Sequence, residues 1–207
     1  MSQNEDKNEG LKFHEIETKY RVESEKLHPF KALVEGLDGM DAFLYVQGPD
    51  VYYTKGDDEF IRYRKADHGE DDRSELTVKI KTVEKNNIFR KEVNVRVDKN
   101  TPETIAEFAS SLGFEYNFSI WKACHIYRFE DATLVFYSVR DEDKGSMAHF
   151  IEIEVDEETE YTESEAWDII KKYEAILAPL GIEHRKRLRK SLFEMYRKDS
   201  TLESGKD

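Results

Sequence analysis

Acidic and basic residues recur at every second position in several segments of this chain. Glu15, Glu17 and Lys19 stand first, in Glu-Ile-Glu-Thr-Lys, and Glu152 with Glu154 repeats the acidic spacing late in the sequence. Because successive side chains of a β-strand point to opposite faces, residues two apart share one face. Two neighbouring carboxylates repel each other unless a cation lies between them, and their oxygens suit Mg²⁺ or Mn²⁺. The spacing is therefore suited to a divalent-metal site.

Basic residues show the same spacing in the segments between these acids. Clustered arginine and lysine side chains bind polyanions, because arginine makes bidentate contacts with phosphate and lysine supplies a point charge. A compact ligand that satisfies both the acids and the bases is a polyphosphate with a divalent metal. The basic residues are Arg62, Arg64, Lys79, Lys81 and Arg90, with Lys122 as a further member, and Glu92 follows Arg90 by two positions.

The charged residues alternate with aliphatic and aromatic ones, as strands require, and helical apolar stripes separate some of these segments. We expect a turn at 47–50, where Gly48 and Pro49 stand together. The expected strands span about 12–22, 41–46, 51–53, 60–64, 75–81, 89–97, 119–129, 132–139 and 150–155, and the expected helices about 24–37, 101–112, 162–178 and 191–197.

The apolar stripes of the helices need a partner, and the apolar strand faces supply one. The charged strand faces then meet one another. The sequence therefore predicts an α+β fold, an eight-stranded antiparallel closed β-barrel (a tunnel) with a charged interior and helices packed outside. The alternative is an open sheet whose charged face is solvated and held by cross-strand ion pairs. One domain is expected over 12–197, with a disordered lead-in at 1–11 and a flexible tail at 198–207.

Composition limits the partners of the protein. The 207 residues include 45 acidic and 32 basic ones, for a net charge of -13, which argues against nucleic acid or an anionic membrane as the main partner. No apolar run is long enough to cross a bilayer, and the N-terminus lacks the pattern of a signal peptide. Cys124 is the only cysteine, so no disulfide framework is expected. We expect a cytoplasmic monomer or homodimer whose ligand is a small-molecule polyphosphate.

The order of the charged segments resembles that of the CYTH superfamily, also called triphosphate tunnel metalloenzymes. Glu15 to Lys19 is similar to the signature that opens this family, and the similarity runs from about residue 13 to residue 196. The remaining landmarks, in order, are 47–53, 60–64, 76–81, 90–92, 151–154 and 190–194.

The resemblance implies an eight-stranded tunnel that binds triphosphates together with Mg²⁺ or Mn²⁺. By position it implies metal ligands at Glu15, Glu17, Glu152 and Glu154. It implies phosphate-binding residues at Lys19, Arg62, Arg64, Lys79, Lys81, Arg90 and Lys122. It implies a catalytic group of Glu15, Glu17, Lys19 and Glu92, in which Glu92 holds metal or orients a basic residue.

Three positions depart from the family pattern. Cys124 follows Lys122 where many members have an arginine, Tyr137 stands near the place of an aspartate, and Asn94 occupies a position that is often acidic. Arg128 and Arg140 are candidates to replace the missing arginine.

Three functions fit these residues. The leading prediction is metal-dependent hydrolysis of inorganic triphosphate, thiamine triphosphate or a nucleoside triphosphate. The alternatives are a class IV-type adenylyl cyclase, which forms cyclic AMP and pyrophosphate from ATP, and a non-catalytic module that binds a polyphosphate or nucleotide. The charged residues alone do not separate the three.

Overall fold

The computed structural model describes residues 15–56, 59–66, 73–80, 89–156 and 161–198, and only their backbone at 15, 79–80 and 89–92. The strands are β1 (Glu15–Val22), β2 (Met40–Lys55), β3 (Glu59–Ala66), β4 (Arg73–Ile80), β5 (Phe89–Arg96), β6 (Glu115–Phe129), β7 (Ala132–Asp141) and β8 (Met147–Val155). The α-helices are α1 (Leu27–Val34), α2 (Pro102–Ser111), α3 (Glu163–Leu177) and α4 (Leu192–Tyr196). Short 3-10 turns occupy Ser24–Lys26, Ala178–Leu180 and His184–Lys186.

All neighbouring strands pair antiparallel, in the order β1–β5–β4–β3–β2–β6–β7–β8, and β8 pairs with β1 again. The strand pairings therefore run in a closed circuit. Among the described residues, β1 pairs with β8 from Glu17 to Val22 and with β5 at Glu15 and Ile16. The predicted α+β class, with eight antiparallel strands and helices, is confirmed.

The register of the strands collects the charged residues on one face, which we call the charged face. Lys19 pairs with Glu152 across β1 and β8, and Arg64 pairs with Asp50 across β3 and β2. Directly opposed residues on neighbouring strands lie on the same face. The period of two in the sequence thus becomes one continuous surface that every strand contributes to.

The helices α1, α2 and α3 cover the opposite face of the sheet. Phe30 of α1 and Ile170 of α3 pack with Ile153 of β8 in one buried cluster, and Ile105 of α2 packs with Tyr63 of β3 in another. Burial of each large apolar side chain contributes about 1.5–3 kcal/mol, so these two clusters hold the helices to the sheet. Their apolar stripes therefore find the partner that the sequence predicts.

A network on β1 fixes the segment that leads from α3 to α4. Arg187 donates two hydrogen bonds to the carboxylate of Glu174, at 2.6 and 2.8 Å, and the Tyr20 hydroxyl donates to the same carboxylate. The backbone amide of Leu188 donates to the carbonyl oxygen of Lys19 over 2.8 Å. The chain before α4 is therefore tied to the strand that carries Lys19.

One end of the charged face is apolar. Phe193 of α4 packs there against Tyr52, Phe60 and Phe118, with the rings of Tyr52 and Phe118 stacked 4.4 Å apart and those of Phe60 and Phe193 4.2 Å apart. We call these four rings the aromatic cluster. The short helix α4 covers this end because its own aromatic residue completes the packing.

The prediction of a turn at 47–50 is wrong, because β2 continues through Gly48 and Pro49 as a single strand of 16 residues. Gly48 permits this continuity. A Cβ atom at Gly48 would lie 1.9 Å from the carbonyl oxygen of Lys65 in β3, so only glycine allows the two backbones to approach. The glycine marks a close contact within the sheet and not a reversal of the chain.

The expected lead-in at 1–11 lies outside the described residues, as do residues 199–207 of the expected tail. Lys198 is described, and its ammonium lies 2.9 Å from Asp143 Oδ2. Within the described part of the chain, no helix has the length and apolar character to cross a membrane.

We expect Gly48→Ala to lower the free energy of unfolding by about 1–3 kcal/mol, because the added methyl group forces the β2 and β3 backbones apart. Chemical denaturation measures this change. Gly36→Ala is the control, since a Cβ at Gly36 would lie 3.4 Å from its nearest neighbour, a near-ordinary contact. Equal midpoints for the two variants would contradict the role given to Gly48.

Candidate functional site

Glu152 is the centre of the acidic part of the charged face. Lys19 Nζ lies 2.8 Å from Glu152 Oε1 and 3.6 Å from Glu17 Oε1, and only 6% of Lys19 is exposed. The Tyr137 hydroxyl donates to the same Oε1 atom over 2.8 Å. A buried charge is tolerated when opposite charges and hydrogen bonds surround it, as they do here.

The protonation states around Glu152 follow from these contacts. Burial alone would raise the pKa of Glu152, but the ammonium groups of Lys19 and Lys122 outweigh it and lower the pKa well below its usual range. Burial and the charge of Glu152 raise the pKa of Tyr137 well above its usual value. Glu152 is therefore ionised at neutral pH, and Tyr137 is a neutral donor.

Glu17 stands directly opposite Glu154 in the register of β1 and β8. Like charges in that position repel, and a divalent cation between them would remove the repulsion. Mg²⁺ commonly uses one or two carboxylates and takes its other ligands from phosphates and water. Among the described side chains no group of three or more His, Cys, Asp or Glu is placed to hold a metal ion. Glu17 and Glu154 are therefore the pair of described carboxylates that could share a metal ion with a phosphate ligand.

Arg64 is fixed by Asp50, a residue that the sequence reasoning missed. The Arg64 guanidinium donates two hydrogen bonds of 2.7 Å to the Asp50 carboxylate, which is fully buried. Burial would raise the pKa of Asp50, but Arg64 reverses the effect and lowers it to about 2. The sequence did hold a signal, because Asp50 precedes a β-prone run and is two residues from Tyr52, but the neighbouring Gly48 and Pro49 indicated a turn.

Arg62 lies beside Arg64 and has a different set of partners. Arg62 Nη2 donates to Thr77 Oγ1 over 2.8 Å and lies 3.6 Å from Glu75 Oε1, while Thr77 Oγ1 is 2.8 Å from Asn94 Oδ1. Strands β3, β4 and β5 therefore share one polar network. Asn94 serves this network as a neutral acceptor.

Lys122 is held by an aromatic ring. Its ammonium lies 4.2 Å from the centre of the Tyr137 ring, and among the described residues it has no carboxylate partner within ion-pair distance. Cys124 faces the same side and is buried, which raises the pKa of its thiol. Lys122 therefore provides a cation to the charged face, and Cys124 provides an uncharged wall.

The two candidates to replace the missing arginine lie on different faces of the sheet. Arg128 pairs with Thr133, which pairs with Glu154, so Arg128 lies on the charged face and is exposed. Arg140 lies on the opposite face and its Nε atom is 2.9 Å from Glu142 Oε1, so the prediction for Arg140 is wrong. The two arginines differ because side chains alternate along a strand, so that a shift of one position moves a side chain to the other face of the sheet.

The structure brings most of the described candidate residues onto one surface. Lys19, Glu17 and Glu152 are in contact, Glu154 faces Glu17, and Arg62, Arg64 and Lys122 lie on the same face. The register pairs Glu15 with Arg90 and Lys79 with Glu92, whose side chains are not described, and Lys81 lies outside the described residues.

Comparison with known proteins agrees with this geometry. The sequence profile of the CYTH domain matches residues 13–188. No curated protein matches the chain. The structure of the PH1012 protein from Pyrococcus horikoshii is similar, with 26% sequence identity, a TM-score of 0.65 and coverage of 89% of this chain and 99% of that one. The PH1819 protein of the same organism has 25% identity, a TM-score of 0.65 and coverage of 87% and 97%.

A more distant structure shares the fold alone. It belongs to a candidate adenylate cyclase from Vibrio parahaemolyticus, with 15% identity, a TM-score of 0.64 and coverage of 88% of this chain and 97% of that one.

We expect Asp50→Asn to lower the free energy of unfolding by about 3 kcal/mol at pH 7, because it leaves the Arg64 charge without its counter-charge. The folded-state pKa of Asp50 is depressed from 3.8 to about 2. Its stabilisation is therefore complete above about pH 5 and is lost as the pH falls through the folded-state pKa. Denaturation curves between pH 7 and pH 2 measure both effects, and the variant loses part of the acid dependence.

Asp168→Asn is the matched control, because Asp168 pairs with Lys171 over 2.9 Å on the exposed surface of α3. Exposed pairs contribute about 1 kcal/mol or less. An Asp50→Asn variant as stable as this control would contradict the buried pairing.

Proposed function

Since this chain belongs to the CYTH domain family, we propose that it hydrolyses a triphosphate substrate with the help of a divalent metal ion, Mg²⁺ or Mn²⁺. The substrate is inorganic triphosphate, thiamine triphosphate or a nucleoside triphosphate. The observation that carries this proposal is the charged face itself. It combines Lys19, held between Glu17 and Glu152, with the guanidinium groups of Arg62 and Arg64.

The basic residues bind the phosphate chain in this proposal. Arg64 and Arg62 are held in place by Asp50 and Thr77, so little side-chain entropy is lost when they contact phosphate oxygens. Hydrogen bonds between a guanidinium and a phosphate are charge-assisted and contribute about 1.5–3 kcal/mol each. The described cations supply the positive charge that phosphoryl transfer requires around the equatorial oxygens.

The acidic residues would hold the metal. Glu17 and Glu154 face each other across β1 and β8, and Glu15 continues the same strand. When bound, the metal supplies a Lewis acid that neutralises phosphate charge and lowers the pKa of bound water. Lys19 stays between Glu17 and Glu152, where its ammonium limits repulsion between carboxylates and reaches toward a phosphate oxygen.

Hydrolysis in this site depends on position and charge. Cys124 is the nucleophilic side chain nearest to Lys122 in the strand, but burial raises the pKa of its thiol and keeps it protonated. In this proposal water is the attacking group, and the barrier falls because the charged face aligns the phosphate with its cations.

The charged face lines a tunnel in this proposal, and the substrate enters from the end away from α4. The aromatic cluster supports this direction, because Tyr52, Phe60, Phe118 and Phe193 fill the α4 end with stacked rings. Those rings are packed on one another, which favours a small phosphate substrate over a nucleoside at that end.

The proposal is tested by incubating the protein with inorganic triphosphate, thiamine triphosphate or ATP, each with Mg²⁺ or Mn²⁺. We expect metal-dependent release of orthophosphate from at least one of them, abolished by EDTA. Formation of cyclic AMP and pyrophosphate from ATP would instead identify a cyclase. Binding without product would identify a module, and either outcome would overturn the proposed hydrolysis.

Two variants separate substrate binding from turnover. We expect Arg62→Ala to raise KM about 10- to 100-fold, because it removes charged hydrogen bonds to phosphate. We expect Glu17→Gln, and likewise Glu15→Gln, to lower kcat by about two orders of magnitude, because a metal-facing carboxylate is lost. Steady-state kinetics with the preferred substrate measure both parameters.

Arg140→Ala is the matched control for the arginine variant, since Arg140 lies on the opposite face of the sheet beside Glu142. Its KM and kcat are expected to equal those of the unmodified protein. Full activity in both Arg62→Ala and Glu17→Gln would contradict the proposal that hydrolysis takes place on the charged face.

A further inference from the structure

Tyr137 makes two different contacts on the charged face. Its hydroxyl donates to Glu152 Oε1 over 2.8 Å, and its ring lies under the Lys122 ammonium at 4.2 Å. Tyr137 itself is fully buried. One side chain thus joins the acidic centre of the face to a cation on β6.

The first contact limits what Glu152 can ligate. Lys19 Nζ also lies 2.8 Å from Oε1, so this one oxygen accepts from two donors. A metal that took Oε1 would have to displace the Tyr137 hydroxyl, the Lys19 ammonium or both. Glu152 Oε2 is the oxygen that neither of these two contacts occupies. A carboxylate arranged in this way is suited to monodentate ligation.

The second contact leaves the positive charge of Lys122 available to a ligand. Cation–π contact stabilises an ammonium without neutralising it, in contrast to an ion pair. Within the described part of the chain Lys122 has no carboxylate at ion-pair distance. Its positive charge nevertheless helps to lower the pKa of both Asp50 and Glu152. Its ammonium is therefore held in place and remains positive toward the charged face.

The packing of Tyr137 makes both contacts rigid. Its ring stacks on Phe150 with the centres 5.2 Å apart and the planes at 25°, within the apolar cluster that α4 completes. The hydroxyl cannot leave Glu152 by a simple rotation of the side chain without disturbing this stack.

We propose that Tyr137 is a positioning residue with two separate effects. Its hydroxyl, together with the Lys19 ammonium, reserves Oε1 of Glu152, so that Glu152 offers a divalent cation one oxygen at most, and its ring holds Lys122 in position for a phosphate oxygen of the substrate. The proposal deepens the proposed function and rests on it for the identity of the ligands. It follows that the metal binds weakly by itself and tightly only together with the phosphate chain.

Two substitutions at Tyr137 separate the effects. Tyr137→Phe keeps the ring and removes one of the two donors to Oε1, so we expect Mn²⁺ alone to bind about tenfold tighter, because one hydrogen bond that competes with the metal for this carboxylate is lost. Its affinity for inorganic triphosphate in EDTA stays within about twofold. Tyr137→Leu also removes the ring, and we expect triphosphate to bind about five- to tenfold more weakly.

Electron paramagnetic resonance of free Mn²⁺ measures the metal affinity, and isothermal titration in EDTA measures triphosphate binding. Tyr127→Phe is the matched control, because Tyr127 is equally buried and its hydroxyl donates to Glu35 over 2.9 Å away from the site. It loses a buried hydrogen bond of the same kind, and neither affinity is expected to change. Thermal unfolding checks that each variant is folded.

Lys122→Met tests the second effect independently and decides it if Tyr137→Leu does not fold. We expect it to weaken triphosphate binding to the same extent as Tyr137→Leu, and the double variant to be no weaker than either. An unchanged Mn²⁺ affinity in Tyr137→Phe overturns the first effect, as does a protein that binds no Mn²⁺ in either form. Unchanged triphosphate binding in Lys122→Met overturns the second.

These measurements need no turnover, so they are distinct from the test of hydrolysis. A protein that binds triphosphate and Mn²⁺ as described but releases no orthophosphate would refute the proposed hydrolysis and leave the role of Tyr137 supported.

Discussion

The ion pair between Lys19 and Glu152 is the contact on which the charged face depends. Each buried ion costs several kcal/mol in lost hydration, so it is stable only where an opposite charge or hydrogen bonds replace water. Lys19 and Glu152 meet this condition with help from Glu17 and Tyr137. Because β1 and β8 carry the two partners, the same contact joins the start of the sheet to its last strand.

The same rule explains the basic half of the face. Asp50 neutralises part of the charge of Arg64, and Thr77 with Glu75 surrounds Arg62. Each partner also restricts the rotation of its arginine, so a requirement of stability orients the groups that would contact a ligand. The face therefore combines structural and binding roles in the same side chains, and a substitution in one residue changes both.

Strand faces were predictable from the sequence because alternation is a local property. The period of two placed Glu17, Lys19, Arg62 and Arg64 on one surface, and it held wherever a strand was uninterrupted. Asp50 was missed because Gly48 and Pro49 indicate a turn locally, whereas the close approach of β3 makes glycine necessary in a continuous strand.

The contacts between distant segments could not be predicted in this way. The hydroxyl of Tyr137 meets Glu152, and the aromatic residue of α4 fills one end of the charged face, only after the strand order and register are known. The same applies to Arg140, whose face depends on the phase of β7. Sequence patterns thus gave the composition of the surface, and the pairing of strands decided which residues meet.

The position of α4 has a consequence for how the chain folds during its synthesis. Tyr20 on β1 bonds Glu174, 154 positions later, and Phe193 completes the aromatic cluster later still. Pairing over such separations is slow, since the entropy of closing a long loop comes before the contacts that offset it. Until α3 and α4 have been made, the apolar strand face and the aromatic rings that they cover stay exposed. In that interval the nascent protein is most prone to aggregate or to need a chaperone.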